Sequence, residues 1–75
     1  MALSYNESVT AEIRAELGRR RLSGRQLAAA LGWSANYLSR RMTGAVPWST
    51  HEIEDIALAL GVSLAELVSP NSQAS

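Results

Sequence analysis

At 75 residues the chain has room for one domain at most, and a globule of that size buries a low share of its surface, so modest stability is expected. Hydrophobic residues make up 47% and charged residues 19%, the balance of a packed globule, while the lack of Cys excludes a disulfide framework and a thiolate metal site, as is usual in the cytoplasm. The formal charge is zero, which counts against a uniformly basic surface. No stretch approaches the roughly 20 apolar residues of a membrane span, and MALSYNESVT lacks the basic and apolar regions of a secretory leader.

Helix starts are marked by a Ser that caps and a Glu or Gln three residues on that reaches back: Ser4 with Glu7, Ser23 with Gln26, Ser49 with Glu52 and Ser63 with Glu66. Ser34 is a further cap without that partner. Gly32, Gly44 and Gly61 fall where helices need a left-handed residue to end. The first predicted helix runs from about Tyr5 to Arg20 with Val9, Ile13 and Leu17 on one face, and Gly18 weakens its last turn. The second, about Gly24 to Leu31, turns Leu27, Ala28 and Leu31 inward. The third, about Ala35 to Thr43, turns Leu38 and Met42 inward and leaves Ala35, Asn36, Ser39 and Arg40 away from that stripe. The fourth, about Thr50 to Leu60, carries Ile53, Ile56, Ala57 and Leu60 at helical spacing. A short fifth spans about Leu64 to Val68 with Leu64, Leu67 and Val68 inward. The expected fold is thus an all-α, compact five-helix domain over residues 1–68, followed by a disordered polar tail at 69–75.

The charges are unevenly spread. All seven cations are arginines, Arg14, Arg19, Arg20, Arg21, Arg25, Arg40 and Arg41, and the one acid among them is Glu16. The remaining acids flank that window, so the chain is neutral in sum and dipolar in distribution. Only Gly32, Trp33 and Ser34 separate the second and third helices, a link that suits a sharp crossing rather than antiparallel packing. A helix held this way, with a polar outer face, can enter the DNA major groove.

The segment SGRQLAAALGWSANYLSRRMTG, Ser23 to Gly44, resembles the lambda-repressor-like helix-turn-helix family of Cro and Xre type. Ile56 to Ser63, IALALGVS, and the following Leu64 to Val68 resemble that family's fourth and fifth helices, so the likeness covers about Val9 to Val68. The resemblance implies a small transcriptional regulator, like a phage repressor or Cro, that binds a double-stranded DNA operator. It implies base reading by Ala35, Asn36, Ser39 and Arg40, with Tyr37 beside them. It implies backbone contacts from Arg19, Arg20, Arg21 and Arg25 around the entry to the second helix. Chemistry agrees: Asn pairs with adenine and Arg with guanine in bidentate fashion, and Ala35 can meet a thymine methyl. The Ser34 hydroxyl and Tyr37 are expected at phosphates. At Arg41 the family usually carries an apolar residue, and Met42 is expected to take over its packing, the other reading being that Arg41 snorkels. The family's frequent Gln at the start of the second helix is replaced by Gly24.

Other roles draw little support from the residues. His51 is a lone imidazole expected on a helix surface, and Glu52, Glu54 and Asp55 form an acidic first turn that the helix dipole explains. No Cys is present to act as a nucleophile, the one His has no Ser and carboxylate constellation, and no Gly-rich phosphate loop or metal-ligand set is found, so no catalysis, cofactor or small-molecule substrate is expected. Trp33 is expected to plug the turn. Trp48 either seals the loop or meets a partner subunit, and with Leu64 and Val68 it is the candidate surface for a homodimer. The rival readings are a protein-interaction adaptor on the same fold and the antitoxin of a toxin-antitoxin pair.

Overall fold

The computed structural model describes residues 4–68, and the expected tail at 69–75 lies outside them. Five helices follow one another: α1 (Tyr5–Arg20), α2 (Gly24–Leu31), α3 (Ala35–Met42), α4 (Thr50–Leu60) and α5 (Leu64–Val68). Among the described residues there is no strand. The Ser codes act as read. Ser4, Ser23 and Ser49 accept the N–H of Glu7, Gln26 and Glu52, whose side chains return the bond. Ser63 and Glu66 make the same reciprocal pair, and Ser34 accepts from the Tyr37 N–H without one.

Helix ends show two departures. α3 stops at Met42 rather than Thr43, with Thr43 as its right-handed cap and Gly44 taking the positive φ of +89° one residue later. α1 ends at Arg20 as expected, but its cap is Arg21 rather than a glycine, and Arg21 adopts the left-handed conformation at φ 54°. The Leu22 N–H then reaches the Leu17 carbonyl at 2.9 Å, closing the end of the helix as a glycine would. For a residue with a Cβ this conformation costs about 1 kcal/mol.

The core draws on all five helices: Val9, Ile13 and Leu17 from α1, Leu27 and Ala28 from α2, Leu38 from α3, Ile53, Ile56, Ala57 and Leu60 from α4, and Leu67 from α5. Removing a branched side chain of this kind from water contributes about 1.5–3 kcal/mol apiece. Leu31, Trp33, Met42, Leu64 and Val68 pack against this core while only partly buried. α1 packs on α5, α2 on both α3 and α4, and α4 on α5.

Of the two open readings of Trp48, the loop seal is the one realised, which corrects its candidacy as a partner contact. The side chain is buried, its indole N–H donates to Thr10 Oγ1 at 2.8 Å, and its backbone N–H donates to Asn6 Oδ1 at 2.7 Å. The segment between α3 and α4 is thereby pinned to α1. No helix among the described residues is long and apolar enough to cross a membrane.

Candidate nucleic-acid interface

Ser34 begins the interface. Its Oγ accepts the Tyr37 N–H at 3.0 Å, which starts α3 directly after the tight turn at Gly32. Leu38 then faces the core at 2% exposure, which sets the inward side of α3. With about 100° of turn per residue, Asn36 and Arg40 fall opposite Leu38, Ser39 lies on its flank and Ala35 nearer to it at the start of the helix, and all four are exposed. Arg40 makes no ion pair among the described residues. An open cleft between the end of α1, the start of α2 and α3 has Arg14, Arg25, Ala35 and Ser39 on its walls. The fold thus brings a predicted backbone contact, Arg25, to the same cleft as two predicted base readers.

The arginine cluster divides in two. Arg21 and Arg25 are exposed and free of ion pairs among the described residues. Arg19 and Arg20 are both tied to Glu16, at 2.7 and 3.1 Å. The hydrogen bond from Arg19 holds the buried Glu16 carboxyl below its ordinary value, overcoming the opposing effect of burial, with Arg20 adding to it. The same bond raises Arg19. A carboxylate spaced three and four residues before the two arginines is the sequence signal for this pairing.

Behind α3 lies a second cluster that sequence reasoning missed. Arg41 is not left to the surface and its site is not filled by Met42 alone, as the apolar expectation had it. Its Nε donates to Glu52 Oε2 at 2.9 Å, and both side chains are nearly buried. Its guanidinium lies 3.7 Å from the centre of the Tyr37 ring, and the Tyr37 hydroxyl donates to the same Glu52 oxygen. Trp33 meets the Tyr37 ring edge-on at 4.8 Å between centroids. Burial alone would raise the Glu52 carboxyl, but the bonds from Tyr37, the Ser49 backbone and Arg41 outweigh it and hold the group below its ordinary value. Donating to Glu52 raises Tyr37. The Tyr37 hydroxyl, expected at phosphate, is therefore spent inside the protein. A signal did exist: an arginine at an otherwise apolar helix position calls for a carboxylate, and α3 itself has none.

His51 is exposed, 3.7 Å from Asp55, and no group of three metal-binding side chains occurs among the described residues.

The pattern of the helix-turn-helix domain family matches residues 10–69. Among solved structures, the chain is similar to the crystal structure of the clp gene regulator ClgR from C. glutamicum, with a TM-score of 0.83 and 25% identity. That similarity covers 97% of this chain and 95% of the other. No curated protein matches it. The chain belongs to the helix-turn-helix domain family, and DNA-binding transcriptional regulation is the function that goes with that membership.

Proposed function

We propose that the chain lays α3 into the major groove of a specific duplex operator and regulates transcription, in the manner of a Cro-like or repressor-like protein, by occupying that site. The observation that carries this reading is the outer face of α3, where Asn36, Ser39 and Arg40 stand exposed and Arg40 has no ion pair among the described residues. Asn36 and Arg40 make the bidentate contacts to adenine and guanine, and Ala35 and Ser39 supply the smaller ones. Arg21, Arg25 and the Ser34 hydroxyl hold phosphates and set the register of the helix without choosing sequence. Arg19 and Arg20 add less, because each shares its guanidinium with Glu16. Tyr37 does not join that set, since its hydroxyl donates to Glu52.

The regulator acts as a homodimer on two half-sites about one helical turn, roughly 34 Å, apart. Leu64 and Val68, both only partly buried, supply pairing surface. The chain performs no chemistry of its own and works in the cytoplasm, where an operator is accessible. Selection from a random duplex pool tests the proposal. The expected product is a two-fold symmetric motif bound at low and moderate salt. If no sequence is enriched and duplex affinity is missing at low ionic strength, the reading fails in favour of a protein-interaction adaptor.

A further inference from the structure

Glu52 does more than cap α4. In the boxes at α1 and α2, Glu7 and Gln26 serve their caps while exposed, and a neutral amide suffices at Gln26. Glu52 is instead buried, and it divides its oxygens. Oε1 accepts the Ser49 N–H at 3.0 Å, whereas Oε2 crosses to α3, where it accepts from the Tyr37 hydroxyl and from Arg41 Nε at 2.9 Å. Arg41 closes the cluster by donating from Nη1 to the Tyr37 carbonyl at 3.0 Å. None of the buried side-chain nitrogen and oxygen atoms among the described residues lacks a partner.

Tyr37 and Arg41 are four residues apart, so they form one strip along α3, and Asn36 and Arg40 precede them on the neighbouring strip that turns outward. A base-reading constellation has to be held within about 0.5 Å and 10–20° of its productive geometry. Leu38 alone is a poor goniometer, because apolar contact is non-directional. A buried ion pair is a weak stabiliser, and its best use is to select one register.

We infer that Glu52 is a positioning residue for DNA recognition, gripping α3 through Tyr37 and Arg41 so that Asn36 and Arg40 meet the base edges at a fixed roll. The inference rests on the reading that α3 enters the major groove.

The test compares wild type with Glu52→Gln and with the double variant Arg41→Met/Glu52→Leu. Gln keeps a cap of the kind Gln26 makes. The double variant removes the buried charges together and refills the space with apolar atoms. Each protein is titrated against the selected operator and a scrambled duplex over a range of salt, alongside thermal unfolding. Affinity for the operator should fall at least tenfold in both variants, with scrambled-duplex affinity and salt slope unchanged within twofold. The double variant should lose this preference even if it melts at or above the wild-type temperature. If the variants keep the wild-type ratio of operator to scrambled affinity, whatever their melting temperatures, Glu52 is structural only and this inference is overturned while the α3 reading stands. If wild type itself prefers no sequence, both fall.

Discussion

Trp48 donates its indole N–H to Thr10 Oγ1 at 2.8 Å, a bond that joins the end of the α3–α4 segment to α1 across 38 positions of sequence. The contact buries the largest side-chain type in a chain that has no Phe and only two Trp. Trp48→Ala is therefore expected to destabilise the domain by about 3–5 kcal/mol. Thr10→Val leaves the indole N–H unmatched and is expected to cost about 1–3 kcal/mol. Urea unfolding followed by circular dichroism measures both, and a loss below 1 kcal/mol at Trp48 would contradict its assigned place in the core.

Arg21 carries a conformation that suits glycine and a charge that suits phosphate. Arg21→Gly is expected to raise folding stability by up to about 1 kcal/mol through relief of the left-handed backbone. The same change should weaken duplex binding, as a charge leaves the interface. Stability and affinity moving in opposite directions, read by thermal unfolding and filter binding, is the signature of a residue retained for its ligand.

Salt distinguishes the two kinds of arginine. Each phosphate contact contributes about 0.9 to the slope of log affinity against log salt. Arg25→Ala should reduce that slope by about one contact. Arg19→Ala should reduce it by less, since its guanidinium is engaged with Glu16 at 2.7 Å. Equal slope changes for the two variants would show that the Glu16 pair opens freely on DNA.

Acid should loosen the domain at two points. Glu16 and Glu52 both titrate below their ordinary value of 4.5 when folded. A lowered folded value means that the stabilisation is fully present above pH 4.5 and is lost as pH falls through the depressed values. Glu52→Gln should therefore flatten the stability profile below pH 4.5, and Glu16→Gln should flatten it independently, as the two carboxylates have separate partners. At the other extreme, Tyr37 is raised above 10.0, so its contribution is present below that pH and is lost as pH rises through the higher folded value. Denaturant midpoints measured across pH check all three.

The fold was legible because its signals are local. A Ser that caps, a Glu or Gln three residues on and a Gly at the far end each act within one helical turn, so their positions in the chain fix α2 and α4 to the residue. Arg21 was not legible as a terminator, because nothing in its side chain advertises a left-handed backbone. The outer face of α3 followed from periodicity once Leu38 was taken as inward. The Arg41–Glu52 pair did not, since it joins positions 11 residues apart on different helices whose relative placement periodicity does not encode. Trp48 was undecided for the same reason: its partners, Asn6 and Thr10, lie on a helix distant in sequence.

The most direct test of α3 as the reading element is base-by-base substitution of the selected operator, titrated with wild type, Asn36→Ala and Arg40→Ala. Each variant is expected to lose about 1–3 kcal/mol, and to lose its discrimination at one base pair per half-site while keeping it elsewhere. The two affected base pairs should be neighbours, since the side chains sit four residues apart on one helix. Loss spread evenly over every position, or wild-type discrimination intact in both variants, would contradict the account.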